Sequence, residues 1–318
     1  MSPVVIAIDL GATKTLAGVG RPSGDLLARI QFPTPIQGSP EAAVDEMVSK
    51  IRQLLAENNI ADDQVIGVAA GAPGPISYPQ GIIYDSPNLG WQKFALRREL
   101  EQRLGWPAVV EHDVAMAALG EYHFGQNKRY PNLLYVTLST GVGAGIIVNG
   151  ELYRGSIGGA GEIGHMVIDP RGRLCKCGRR GCTETIISGT ALAIQARELV
   201  EQGRGVYLQS LVKDGVITAK EVAIAARQGD NDACQLVAKF RENLQLTLAN
   251  LVHIFNPDII VLGGGVVQGM RELIFEGIEE DVRAQVFPMH RPGVKIEITR
   301  LGGDIVLYGC LAAGEYRI

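Results

Sequence analysis

Three cysteines and a histidine crowd into the segment GEIGHMVIDPRGRLCKCGRRGCTE: His165, Cys175, Cys177 and Cys182. Three thiolates and one imidazole match the tetrahedral, soft-donor preference of zinc. Four protein ligands leave no open position for a catalytic water, so the metal reads as structural. A redox CxC pair is the rival reading, and the histidine and third cysteine weigh against it. Two carboxylates bracket the set: Glu162 lies three residues before the histidine and Glu184 two after the last cysteine. A loop pinned by metal would present both acids to something small and polar.

A second chemistry resides in glycine turns. The segment DLGATKT (9–15) follows an apolar run. There Asp9 suits a magnesium ion held through water, Gly11 lets backbone approach an anion, and Thr13 and Lys14 can donate to phosphate oxygens. STGVGAG (139–145) and the triple glycine at 263–265 stand at comparable strand ends. Taken singly each is merely a turn; three of them in a duplicated pattern favour a polyphosphate clamp, with the triple glycine admitting a flat base. The P-loop pattern G-x-x-x-x-G-K-[ST] is absent. Asp113 stands between the strand VVE and a helix expected to begin at Val114. The helix N-terminus would keep this carboxylate ionised and able to accept a proton from a hydroxyl. An ordinary N-cap is the simpler local reading, and the two roles can coexist.

These residues need elements to hold them. Apolar runs predict strands at 4–11, 15–20 and 26–34, then a helix over 41–58 whose Val44, Met47, Val48, Ile51, Leu54 and Leu55 keep helical spacing. Ser39 can cap it, with Pro40 at its first position. A strand at 65–70, a helix at 93–104, a strand at 109–111 and an alanine-rich helix at 114–124 follow. The pattern then restarts: three strands within 133–155, helices at 189–202, 218–228 and 231–255, a strand at 258–266, a helix near 270–285, a strand at 294–299 and a last helix at 305–315. The unit βββαβα thus occurs twice, an α/β class with mixed sheets. Two such units are expected to face each other across a cleft. The boundary is placed near residue 114, giving 1–113 plus 304–318 as a small domain and 114–303 as a large one carrying the zinc loop.

At 318 residues, two domains are the default. The chain is 46% hydrophobic and 20% charged, with mean hydropathy +0.12. A net charge of -4, a pI near 5.8 and no basic run argue against nucleic acid as the main partner. The N-terminus lacks the features of a signal peptide, and no apolar stretch approaches the ~18 residues of a membrane span. Five cysteines, three assigned to metal, fit a reduced cytoplasm. Cys234 and Cys310 read as small buried hydrophobes.

DLGATKT, GAPGP, SPNLGW, HDVAMAALGE, STGVGAG, GEIGHM with CKCGRRGCTE, and GGG occur in that order over essentially the whole chain. Together they resemble the ROK family of sugar kinases and sugar-responsive repressors. C-x-C-G-x-x-G-C-x-E after G-H is the specific element; DxGxT alone is shared with actin, chaperone ATPases and hexokinases. The resemblance implies a duplicated actin-like (ribonuclease H-like) ATPase fold, zinc on His165, Cys175, Cys177 and Cys182, and MgATP in the interdomain cleft. It implies Asp113 as catalytic base, and Asn88, His112, Asp113, Glu162, His165 and Glu184 as sugar contacts. His165 would then serve zinc with one ring nitrogen and sugar with the other. Asp9, Gly11, Thr13 and Lys14, with Thr140, Gly141 and Gly143, match phosphate positions; Gly264 and Gly265 match the adenosine turn. A homodimer is implied as well.

One departure bears on specificity. Family kinases usually carry Asn-Asp where this chain has His112-Asp113, and histidine offers its donor and acceptor in a different shape. The expected reaction is ATP-dependent phosphorylation of a hexose primary hydroxyl. Glucose leads, with N-acetylmannosamine, fructose, allose or a cyclitol as alternatives. A repressor would carry an N-terminal helix-turn-helix, for which a first strand starting at Val4 leaves no room. An actin-like structural or chaperone ATPase fits neither the zinc loop nor SPNLGW.

Overall fold

The strand VVIAIDL is apolar without alternation because both of its faces are covered. The computed structural model describes residues 2–35, 37–86, 88–125, 129–212 and 215–314. β1 (Val4–Leu10), β2 (Lys14–Gly20), β3 (Leu26–Pro33), β4 (Val65–Ala72) and β7 (Ala108–His112) form one five-stranded sheet in the order β3-β2-β1-β4-β7. β1 to β3 are antiparallel neighbours, whereas β4 runs parallel to β1 and β7 parallel to β4. Between β4 and β7, β5 (Ile83–Ser86) and β6 (Trp91–Phe94) make a separate antiparallel hairpin. The second sheet repeats the order as β10-β9-β8-β11-β12. Its strands are β8 (Leu133–Leu138), β9 (Val142–Val148), β10 (Glu151–Leu152), β11 (Ile259–Gly263) and β12 (Ile296–Ile298).

Helices cover the first sheet on two faces. α1 (Pro40–Glu57) begins as expected, with Ser39 Oγ accepting the Ala42 N–H and Pro40 in the first turn. It buries Val44, Met47, Ile51 and Leu54 against the face carrying Val4, Ile6, Ile8 and Leu10. α2 (Leu96–Leu104) joins that layer and ends at Gly105 in the left-handed region. On the other face lie α3 (Asp113–Phe124) and α12 (Ile305–Ala313), which pack closely on each other. A Cβ on Gly309 would stand 1.7 Å from Met116 O, and one on Gly120 would stand 2.5 Å from Ile305 O. Glycines at that crossing let the two backbones touch, which explains the small residues of HDVAMAALGE. Asp9 alternates with Val5 and Ala7 onto this face, so the strand end delivers its carboxylate toward α3.

The remaining helices are α4 (Glu184–Ile187), α5 (Gly189–Glu201), α6 (Val206–Ser210), α7 (Ala219–Arg227), α8 (Asn231–Phe255), α9 (Gly265–Gly269), α10 (Arg271–Ile274) and α11 (Ile278–Gln285). α8 is capped by Asp230, which accepts the N–H groups of Asp232 and Ala233, and stops at Asn256 in the left-handed region. The chain forms two units, 1–133 with 145–161 and 300–318, and 134–144 with 162–299. The sequence placed its boundary near 114; the observed division instead keeps 114–133 and 145–161 with the first unit, because α3 packs on α12.

Several elements differ from the sequence-based expectation. The helix expected at 93–104 starts at Leu96, because 91–94 pairs as β6. The one helix expected near 270–285 is two short ones, α10 and α11, parted at Gly277, whose φ of 71° suits glycine. Cys310 is buried, but Cys234 is exposed on α8, its Sγ 3.5 Å from Ala226 O. The last expected helix residue, 315, lies outside the described residues. Among the described residues no helix is long and apolar enough to cross a membrane.

Candidate active site and metal centre

In the first unit, Asp9 and Asp113 sit at the carboxyl ends of β1 and β7, the two strands that flank β4. Asp9 pairs in register with Gly71 of β4, and Gly71 with Glu111 of β7. A side chain at 71 would lie 3.2 Å from Asp113 Cα, so this glycine lets the start of α3 approach the sheet. Burial, reinforced by the charge of Asp113, pushes the Asp9 carboxyl up to about 7 against the pull of Lys14. α3 starts one residue earlier than expected, and its cap is His112, not Asp113. Val114 N–H donates to His112 Nδ1 at 3.3 Å and to Asp113 Oδ1 at 2.7 Å. His112 Nδ1 lies 2.9 Å from that same carboxylate oxygen. Asp113 is thus a first-turn acid, one third exposed, whose carboxylate accepts the helix amide beside His112 Nδ1.

The first phosphate turn closes through Gly11 N–H to Lys14 O at 3.1 Å, with Thr34 Oγ1 donating to Gly11 O. A Cβ on Gly11 would stand 2.7 Å from Lys14 O. Thr13 and Lys14 are exposed at its tip. Asn88 is exposed in the turn between β5 and β6, where the N–H groups of Leu89 and Gly90 both donate to Ser86 O.

In the second unit three chain segments meet around 138–141. Ser139 N–H donates to Gly141 O, Gly189 N–H to Ser139 O, and Thr190 Oγ1 to Thr140 O. Gly264, at φ 95°, could carry no side chain because a Cβ would stand 2.4 Å from Leu138 O; Gly265 then opens α9. Gly143 lies on β9. Glu184, the first residue of α4, reaches back to the same turn: its Oε2 lies 3.4 Å from Val142 N. A Cβ on Gly141 would fall 2.4 Å from that oxygen. The structure therefore joins Glu184, expected as a sugar contact, to Gly141, expected as a phosphate contact.

The ligand atoms of His165, Cys175, Cys177 and Cys182 all lie within 4.8 Å of one another. Cys175 Sγ is 3.7 Å from His165 Nδ1, and Cys177 Sγ 3.6 Å from Cys182 Sγ. Ligand bonds of about 2.3 Å in a tetrahedron put sulfurs roughly 3.8 Å apart, close to the separations of these two pairs, so the donor set suits zinc. The Arg179 backbone N–H holds the Cys177 thiol down at about 7, which favours the thiolate that metal requires. His165 turns Nδ1 to the thiols and leaves Nε2 3.9 Å from Glu162 Oε2. Backbone bonds shape the loop: Cys175 N–H to Arg179 O, Gly181 N–H to Arg173 O, Ile168 N–H to Gly181 O. Gly181 is obligatory, since its φ is 70° and a Cβ would lie 1.4 Å from Asp169 O.

A family model described as the ROK family matches residues 5–312. The chain belongs to the ROK family. A glucokinase of Halalkalibacterium halodurans is 34% identical over 306 residues, 96% of this chain and 92% of that one. The ROK family glucokinase from Streptomyces griseus, solved in complex with glucose and AMPPNP, superposes with a TM-score of 0.82 at 33% identity, covering 98% of each chain. A xylose repressor of Caldicellulosiruptor bescii is 33% identical over 248 residues, 78% of this chain and 62% of that protein. This ROK chain therefore has the duplicated actin-like α/β fold that its repeated sheet order displays.

Three features escaped sequence reasoning. The Ser188–Thr190 support of the second turn has no local pattern beyond a cap residue. Gly71 opens the GAPGP segment, but nothing local showed that it makes room for α3. Buried Glu111 is bonded by Arg154 Nε, whose guanidinium stacks 4.0 Å over the Tyr78 ring. Forty-three residues separate Glu111 from Arg154, so no spacing rule could have paired them.

Proposed function

We propose that this chain is an ATP-dependent sugar kinase that phosphorylates a hexose primary hydroxyl, converting glucose to glucose 6-phosphate. The carrying observation is the end-to-end match to a glucokinase solved with glucose and AMPPNP, in a chain whose Asp113 carboxylate accepts the Val114 N–H at a helix N-terminus. Asp113 takes the proton of the sugar hydroxyl as its oxygen attacks the γ-phosphorus; the bond to the β-phosphate oxygen breaks and ADP leaves. Little covalent chemistry is asked of the protein, so positioning and charge neutralisation dominate. Asn88, His112, Glu162, His165 and Glu184 bind sugar hydroxyls. Gly11, Thr13 and Lys14, with Thr140, Gly141 and Gly143, bind phosphates, and Gly264 and Gly265 admit the adenosine. Asp9 is the residue to hold magnesium, which when bound supplies positive charge to the phosphates. Its carboxyl, pushed up by burial beside Asp113, fits a site completed by a cation. Zinc, when bound to His165, Cys175, Cys177 and Cys182, supplies a fixed node for the loop between Glu162 and Glu184. A homodimer working in the cytoplasm belongs to the same reading.

His112 motivates keeping the sugar list open, because it stands where the family pattern has asparagine and its Nδ1 is engaged at α3. The test is ADP release with purified protein across glucose, fructose, allose, N-acetylmannosamine and cyclitols. Glucose should give the highest kcat/KM. If no sugar stimulates ADP release, the kinase reading falls; if N-acetylmannosamine leads, only the choice of glucose falls.

A further inference from the structure

We infer that Arg154 is a positioning residue for the sugar: from the loop that leads to Glu162, its guanidinium ties together the two chain segments that carry the sugar-contact candidates of the first unit. The inference rests on the kinase reading and deepens it. The first tie is to β7. Arg154 Nε donates to Glu111 Oε1, and Glu111 directly precedes His112 and Asp113. Glu111 is 4% exposed, and its burial raises its carboxyl against the pull of Arg154 and His112. A carboxylate that deep retains its charge only with such a partner.

The second tie is to the hairpin before β5. The Arg154 guanidinium carbon lies 4.0 Å from the Tyr78 ring centroid. Tyr78 sits in the bend that Ser77 N–H closes onto Ile82 O, and Ile76 pairs with Ile83. That strand runs on through β5 to the turn bearing Asn88. Backbone contacts hold the loop from which the guanidinium reaches. Ala160 N–H donates to Arg154 O at 3.2 Å, and Gly158 lies so close to the hairpin that a Cβ would stand 2.5 Å from Ile76 O. The loop ends at Gly161, and the next residue is Glu162. None of these partners belongs to a phosphate turn. Loss of Arg154 should therefore be felt through sugar and not through ATP.

A buried ion pair also stabilises the fold when intact, so the experiment must separate holding from positioning. Removing one member leaves the other's charge stranded, whereas replacing both can be nearly neutral. We would measure Tm and the KM for glucose and ATP in Arg154→Met, Glu111→Gln and the double variant. The single variants should lose about 5 °C or more in Tm, and the double should regain most of it. The double should still show glucose kcat/KM reduced about ten- to a hundredfold, with KM for ATP within about twofold of wild type. Recovery of glucose kinetics along with Tm in the double variant overturns the inference, as does a rise in ATP KM matching that for glucose. Should Arg154→Met not fold, Arg154→Lys keeps the charge but loses the planar fork and ring stacking; it should raise glucose KM, and unchanged glucose KM in it overturns the inference. Wild-type turnover in the same assay distinguishes the failures: its absence for every sugar overturns the kinase reading and this inference together, and its presence confines any failure to Arg154.

Discussion

Asp113 and Asp9 are acids of the same strand-end region with different environments. Asp113 is partly exposed and bonded to the Val114 amide, while Asp9 has its carboxyl raised by desolvation and by the charge of Asp113. Replacing Asp113 by Asn should lower kcat about 10²- to 10⁴-fold and leave glucose binding by calorimetry intact. Turnover close to wild type would remove Asp113 from the mechanism. Asp9 makes a statement about stability. In the fold its carboxyl titrates near 7, against 3.8 for the unperturbed group. The folded state thus binds a proton that the unfolded state releases, so stability is full below 3.8 and is lost as pH rises through 7. Without nucleotide, Asp9→Asn should melt higher than wild type at pH 8, and this advantage should narrow as pH falls from 7 toward 4. The same variant should lose ATP-dependent turnover. A melting difference independent of pH would contradict the burial of this charge.

Two elements convert single residues into sites. In the loop of His165, Cys175, Cys177 and Cys182, glycines and backbone bonds draw the four donor side chains together, as Gly181 against Asp169 O makes plain. Cys177→Ser should abolish zinc in metal analysis of the purified protein and disorder the segment leading to Glu184. Full zinc content and activity in that variant would refute the structural assignment. Chelation of the wild-type protein should likewise lower Tm. In the second glycine turn, Gly141 leaves room for the Glu184 carboxylate. Gly141→Ala should displace that flexible side chain without unfolding the turn, so Tm should hold while glucose KM rises about tenfold. Unchanged glucose KM would detach Glu184 from sugar binding.

At the scale of the molecule, the repeated sheet order is the organising fact, and α12 is its closing element. Nearly two hundred residues of chain separate α3 from α12, yet each buries its small-residue stripe in the other. Gly309→Ala would drive a Cβ into the Met116 carbonyl, an atom that cannot rotate away. Overpacking of this kind should cost about 1–3 kcal/mol or more and lower Tm in thermal melts. An unchanged Tm would mean the crossing is looser than described. Because α3 begins with Asp113, the same variant should also lower kcat.

The sequence alone determined the α/β class, the twofold βββαβα pattern, the donor set for zinc and the candidate acids. Each is local: periodicity, capping and metal-ligand spacing are written within a few residues. It misjudged where local signals compete. Lys93 and Phe94 looked helical but belong to the strand paired with β5, and the stretch near 270–285 was broken at Gly277. Only the tertiary structure decided that Glu184 shares a turn with Gly141 and that Arg154 neutralises Glu111. Those are long-range choices of burial and charge, made when distant segments compete to satisfy the same desolvated groups, and no spacing along the chain encodes their outcome.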